Sequence, residues 1–330
     1  MTYIHWMMPG QPATLLEVKS SNLASIRFRA GVALNELVDR GWKISMGEVI
    51  PETDVLVIGK IGSHRIQDRG PDWIRQVGKA KASGVRIYLD YTDNHLGVVS
   101  SMSKFYFDVL PFVDYCICPS DEMKSILRQV WSGHIEVIGD PIEIEIQVPN
   151  IAAQPQTNVL WFGHSSNIVY LKEFLETTFT PAKEVKIIAL TNEEGARWFV
   201  ESKPQMSTNV HVDLSLWSVH NMLKYARVSD ICIIPSDVSG ARKSGVSENR
   251  LITAMALGLP IAADRLPAYV EYSDYFTDIR STGLHELIED PQSFKGLTLK
   301  AQTQIVPLFS FEKFGVKWAN LLEDGSKSKA

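Results

Sequence analysis

The feature that most constrains this chain is an alternation. Short apolar runs alternate with stretches of helical periodicity along almost its whole length. A strand that leads through a helix into the next strand returns by a right-handed crossover, so the pattern specifies a mostly parallel sheet clothed in helices. Tyr3–Met7 reads as the first strand. A helix follows from about Ala24 to Arg40, with Ile26, Ala30, Ala33 and Leu37 spaced by 4, 3 and 4 and Gly41 as its stop. Lys43–Met46, Asp54–Ile58, Val85–Leu89, Tyr115–Cys118 and Ile135–Ile138 read as further strands. Pro71–Ser83, Lys104–Phe112 and Asp121–Val130 read as the helices among them.

From Pro149 to Thr157 the periodicity lapses into a Pro-, Gln- and Asn-rich stretch, which reads as a linker. The alternation then restarts with strands at Asn158–Phe162, Val185–Leu190, Val210–Leu214, Asp230–Ile234 and Pro260–Ala263. Two series in 330 residues imply two doubly wound α/β domains, 1–149 and 150–310, with a helix and polar tail over 311–330. The halves echo one another. Asp114-Tyr115-Cys116-Ile117-Cys118-Pro119-Ser120-Asp121 resembles Asp230-Ile231-Cys232-Ile233-Ile234-Pro235-Ser236-Asp237, each a strand with Pro-Ser-Asp at its carboxyl end. That end is where open α/β sheets bind ligands.

Composition removes several function classes. The net charge of −5 divides as −3 and −2 between residues 1–150 and the remainder, so neither half offers the concentrated positive face that nucleic acid requires. Three cysteines, Cys116, Cys118 and Cys232, fit a reducing compartment rather than a disulfide scaffold; Cys116 and Cys118 share one strand face and read as packing residues. No window reaches the ~20 apolar residues of a membrane span, and the first residues lack a signal-peptide pattern. The expected location is cytoplasmic, with loose attachment to the inner membrane face left open.

The segment from Lys243 to Pro260, Lys-Ser-Gly-Val-Ser-Glu-Asn-Arg-Leu-Ile-Thr-Ala-Met-Ala-Leu-Gly-Leu-Pro, carries the most chemistry. Ser247 suits an N-cap for a helix starting at Glu248, which Gly258 and Pro260 end. Free N–H groups and the helix dipole at such an N-terminus favour an anion. Arg242, Lys243 and Arg250 add positive charge, and Glu248 suits sugar hydroxyls. The same residues also suit an ordinary capped helix with a solvated surface.

Thr253-Ala254-Met255-Ala256-Leu257-Gly258-Leu259-Pro260 resembles the nucleotide-sugar-binding region of glycosyltransferases of the two-Rossmann GT-B architecture, family-4-like or group 1. Asn158–His164 is similar to the strand and glycine loop that open the donor domain of that family. Trp217–Asp237 is similar to its later helix–strand–Pro-Ser unit, and Ser25–Arg29 to its first acceptor-domain helix. Pro119–Met123 and Gly139–Ile142 resemble the last strand units of the acceptor domain, and the final helix the one that crosses back. The resemblance implies two Rossmann-like domains facing a cleft, acceptor on the N-terminal one and nucleotide-diphosphate sugar on the C-terminal one. It implies a donor set of Gly163, His164, Trp217, Ser236, Asp237, Arg242, Lys243, Ser247, Glu248, Asn249, Arg250 and Thr253. Departures are plain. The family's two glutamates fall on Gly245 and Thr253, with Glu248 the nearest carboxylate; His164 replaces an arginine, and Lys172 loosely matches a lysine.

Asp90, Asp93 and His95 follow the strand Val85–Leu89 and are candidates for the base that activates an acceptor hydroxyl; turn and cap chemistry explains the same residues. Arg27 and Arg29 either hold an anionic acceptor or are solvated. His5 and Trp6 read as packing. No Asp-x-Asp metal pair, Walker A loop, Gly-x-Gly-x-x-Gly or Gly-x-Ser-x-Gly occurs, so no metal and no cofactor is expected. The expected function is metal-independent glycosyl transfer, with retention implied by the resemblance, to a glycan, lipid-linked or protein-glycan hydroxyl. Alternatives are a catalytically silent GT-B-like glycan-binding or partner subunit and, less favoured, a sugar-nucleotide epimerase.

Overall fold

A computed structural model of the chain describes residues 1–8, 10, 14–21, 23–149, 156–240 and 244–327. The chain forms two compact units. Unit 1 is Met1–Pro141 with Gly240–Ser247 and Ser310–Ala330; unit 2 is Ile142–Ser239 with Glu248–Phe309. Most of the linker expected over 149–157 lies outside the described residues.

In unit 1 the elements run β1 (Tyr3–Met7), α1 (Leu15–Lys19), α2 (Val32–Asp39), β2 (Lys43–Gly47), β3 (Val55–Ile58), α3 (Ser63–Ala82), β4 (Arg86–Asp90), α4 (Ser103–Val109), β5 (Tyr115–Cys118), α5 (Asp121–Arg128) and β6 (His134–Val137). All pairings are parallel, in the order β2-β1-β3-β4-β5-β6. β3, Val-Leu-Val-Ile, is buried at every position, the pattern of a parallel strand covered on both faces. Leu56, Ile58, Ile87, Leu89, Cys116 and Cys118 form one core with Trp73 and Val77 of α3 and Phe105 and Val109 of α4.

Two helices differ from the sequence pattern. α3 begins eight residues before Pro71 and runs through it. Ile66, Trp73 and Val77 form one buried stripe, and that burial outweighs the hydrogen bond Pro71 removes. The helix expected from Ala24 opens instead as a π-helical turn, Ile26–Gly31, before α2. Arg27, Phe28, Arg29, Ala30 and Gly31 are all buried in that turn, which a simple amphipathic stripe does not allow.

In unit 2 the elements are β7 (Thr157–Phe162), α6 (Ser165–Thr177), β8 (Val185–Thr191), α7 (Glu193–Glu201), β9 (Val210–Leu216), α8 (Val219–Ala226), β10 (Ile231–Ile234), α9 (Asn249–Ala256), β11 (Ile261–Ala263), β12 (Thr277–Asp278), α10 (Gly283–Glu289) and α11 (Lys295–Gln304). The sheet order is β12-β11-β10-β7-β8-β9, again all parallel. Val159, Trp161, Ile187 and Ala189 pack with Ile168, Leu171 and Phe174 of α6. The last helix, α12 (Phe311–Lys327), belongs to unit 1, where Trp318 is fully buried with its ring 5.3 Å from that of Trp6.

Candidate functional site

Both units place chemistry at the carboxyl ends of their strands. In unit 1, Asp90 closes β4 and is buried with Arg29. One oxygen, Oδ1, accepts from Arg29 Nε at 2.9 Å and Nη2 at 2.7 Å. The remaining nitrogen, Nη1, donates to the carbonyls of Ile138 and Gly139, the latter at 3.1 Å, and lies 3.4 Å from Asp140 Oδ1. Every guanidinium nitrogen of Arg29, expected at the sequence level to meet solvent or an acceptor, therefore has a partner inside the chain. Burial pushes the Asp90 carboxyl up from its ordinary value, and the adjoining Arg29 charge opposes that rise. Arg27 is buried too, with Nη1 on the Ser21 carbonyl at 2.5 Å and its guanidinium 5.1 Å from the Phe28 ring.

The next residues form a tight polar loop. Tyr91 Oη receives the N–H groups of His95 at 2.5 Å and Leu96 at 2.7 Å. The His95 ring stacks on Tyr106 at 5.3 Å with an interplanar angle of 5°, and its Nδ1 lies 3.0 Å from Ser100 Oγ. Asp93 is more exposed and pairs with Lys60 at 2.5 Å. Asp90, Asp93 and His95 are thus neighbours in sequence but differ in setting: a buried ion pair, a surface ion pair and a stacked imidazole.

Ser247 does not cap α9. Glu248 occupies the N-cap position and makes no side-chain cap hydrogen bond. The Ser247 hydroxyl donates instead to Asp140 Oδ2 at 2.7 Å, within unit 1. A charged acceptor makes the stronger hydrogen bond, which accounts for the exchange. Arg242 and Lys243 lie outside the described residues.

In unit 2, Gly163 and His164 follow β7. A Cβ on Gly163 would come within 3.0 Å of the Trp161 ring, so the turn is packed against that indole. His164 is the N-cap of α6, its Nδ1 accepting from Ser166 N at 3.4 Å. Ser236 and Asp237 follow β10, the strand beside β7. Ser236 N donates to Asp264 Oδ2 at 2.8 Å, and that buried carboxylate also takes Nε and Nη2 of Arg280 at 2.9 and 3.1 Å. Asp237 Oδ1 takes the N–H and hydroxyl of Ser239. Trp217 lies just past edge strand β9, two strands away from β7. Glu248 and Thr253 are buried, and Asn249 is half-buried.

Arg250 is the anomaly. It is the second residue of α9, with its guanidinium carbon 5.6 Å from the Trp161 ring and 5.9 Å from that of Phe162. Its Nε and Nη2 are buried without a hydrogen-bond partner, as is Trp161 Nε1. Burial lowers the Arg250 pKa, with weaker opposing effects from Tyr269 and Cys232. Nε and Nη2 form one edge of the guanidinium, the geometry that grips two oxygens of a phosphate or carboxylate. Unpaired buried donors of this kind call for a partner.

A recess in this unit lies away from Arg250. A cavity of about 480 Å³ is lined by Asn158, Lys186, Ile188, Val212, Asp213, Leu214, Tyr225 and Val228. Its charges, Lys186 and Asp213, already pair at 2.6 Å. Among the described residues there is no group of three or more side chains placed to hold a metal. None of their helices is long and apolar enough to cross a membrane.

The sequence matches no family model and no curated protein. Solved structures do match over essentially the whole chain. Sucrose-phosphate synthase from Thermosynechococcus elongatus superposes with a TM-score of 0.69 at 13% identity, covering 98% of this chain and 99% of that one. The fold is GT-B. An α-glucosyltransferase in complex with UDP shares the GT-B architecture with a TM-score of 0.61 at 12% identity, over 99% of this chain and 100% of that one. HepE from Anabaena, in complex with UDP, gives 0.58 at 13% identity over 98% and 100%. At such identities the GT-B likeness concerns the fold.

Asp140 and Asp264 were not singled out from the sequence. A signal existed, because each is an acid just past the carboxyl end of a strand, β6 and β11 respectively, as Asp90 is the last residue of β4.

Proposed function

We propose that the chain is a metal-independent glycosyltransferase that moves a sugar from a nucleoside-diphosphate sugar to a hydroxyl of a glycan, glycolipid or protein-linked glycan. The observation that carries this reading is the empty edge of Arg250 in the first turn of α9, at the strand end of a GT-B unit. The helix dipole and a bidentate guanidinium would together neutralise a departing diphosphate. Gly163, His164, Ser236 and Asp237 border that end, with Arg242, Lys243 and Trp217 completing the donor set.

In the transfer the bond from the anomeric carbon to the phosphate oxygen breaks and a bond to the acceptor oxygen forms. The acceptor proton goes to the departing phosphate oxygen, the course retention requires, with Asp93 and His95 orienting the hydroxyl. Asp90 serves as the buried counter-charge of Arg29.

A panel of UDP, GDP, ADP, CMP and dTDP at millimolar concentration tests the donor site. One nucleotide at ~100 times its dissociation constant raises stability by ~2.7 kcal/mol. The matching nucleotide sugars are then assayed for nucleotide release with and without a hydroxyl acceptor. A response to none of the nucleotides defeats the reading. Gly245 and Thr253 at the family's two glutamate positions favour a second reading, a silent glycan-binding or partner subunit. Binding without turnover selects it, and release without an acceptor selects an epimerase or hydrolase.

A further inference from the structure

The short segment before α9 is held by three hydrogen bonds within unit 1. Ser120 Oγ donates to the Gly245 carbonyl at 2.9 Å while also capping α5 through Met123 N at 3.2 Å. Ser244 Oγ donates to Glu122 Oε1 at 3.0 Å. Gly245 has φ +82°, and a Cβ there would come within 3.0 Å of the Met123 backbone, so only glycine fits. Ser247 Oγ donates to Asp140 Oδ2, and the other oxygen of the same carboxylate faces Nη1 of Arg29, whose Nε and Nη2 hold Asp90.

We infer that Asp140 is a positioning residue that ties the lead-in of α9 to the buried Arg29–Asp90 pair. Its two oxygens divide the work. Oδ2 fixes Ser247, one peptide bond before the N-cap residue Glu248, and Oδ1 faces the arginine that orders the end of β4. Within unit 1, the lead-in to α9 and the buried pair that closes β4 are therefore held by one carboxylate. This rests on the proposed donor and acceptor assignments for its catalytic meaning, but the coupling is a property of the ligand-free chain.

Hydrogen exchange on the 330-residue chain without ligand tests it. In Asp140→Asn the amide of Ile252, bonded to the Glu248 carbonyl at 3.1 Å, and the amides of Tyr91 and His95 should all exchange about tenfold faster. Ser247→Ala should accelerate the α9 amide by a similar factor and leave those of Tyr91 and His95 little changed, and Ser247→Thr should restore it. Acceleration in Asp140→Asn confined to one of the two regions, or uniform acceleration across unit 1, overturns the proposal. Should Asp140→Asn fail to fold, the Ser247 pair decides, and an unchanged Ile252 amide in Ser247→Ala overturns it. Nucleotide binding is measured separately on the unaltered chain, so failure of the donor reading is told apart from failure of the coupling.

Discussion

Replacing Arg250 by methionine should move stability in opposite directions with and without ligand. In the free protein two guanidinium nitrogens are buried without partners. An unmade buried hydrogen bond costs ~1–3 kcal/mol, and at ~1.5 kcal/mol for each of two nitrogens on one guanidinium their removal relieves ~3 kcal/mol. The substitution also forfeits two ring contacts, to Trp161 and Phe162, at ~0.5–1 kcal/mol each. A methionine of similar length fills most of the volume. The net gain is ~1 kcal/mol, or ~2–4 °C in the melting temperature of a unit this size. With a nucleoside diphosphate at ~100 times the wild-type dissociation constant, the unaltered chain gains ~2.7 kcal/mol. Losing two charge-assisted bonds at ~1.5 kcal/mol or more each weakens binding at least ~100-fold, which leaves the variant a gain of ~0.4 kcal/mol. Scanning calorimetry with and without the nucleotide reads both numbers. A variant less stable than wild type without ligand, yet fully responsive to it, would falsify the assignment of Arg250 as an anion ligand.

Gly258→Ala should destabilise unit 2 by ~2–4 kcal/mol in urea unfolding, because φ is +75° and the new Cβ would lie 2.7 Å from the Gln147 carbonyl oxygen; an unchanged midpoint contradicts the C-cap geometry. His5 should make unit 1 acid-sensitive. Burial lowers its pKa from 6.5 to about 4, so the unfolded chain binds a proton that the folded chain refuses. Stability should be unaffected by this group above pH 6.5 and fall as pH drops from 6.5 to 4, by ~3 kcal/mol in total. In His5→Gln that part of the pH profile should flatten. The three thiols should resist a disulfide reagent in the native protein and all react once it is unfolded. Cys116, Cys118 and Cys232 are buried, and burial pushes the latter two up to about 12.

The sequence by itself determined the architecture. Strand periodicity, helical spacing and turn residues are local signals, and every strand read from them is present within one or two residues. Such signals depend only on which neighbours share a face of a helix or strand. Local reasoning failed where a distant partner outweighed a local preference. Ser247 has the chemistry of an N-cap, but the Asp140 carboxylate, 107 positions away in sequence, takes its hydroxyl. Arg29, with an ordinary amphipathic pattern around it, is claimed by Asp90, 61 positions on, and by the end of β6. Pro71 reads as a helix start until Trp73 and Val77 find a core that carries the helix through it. Arg250 was marked for its charge alone; that two of its nitrogens are buried and unpaired is known only once Trp161 and Phe162 close around it. Hydrogen bonds and burial act between groups brought together by folding, so sequence spacing does not reveal them, and the tertiary structure decides which polar groups are satisfied and which remain available to a ligand.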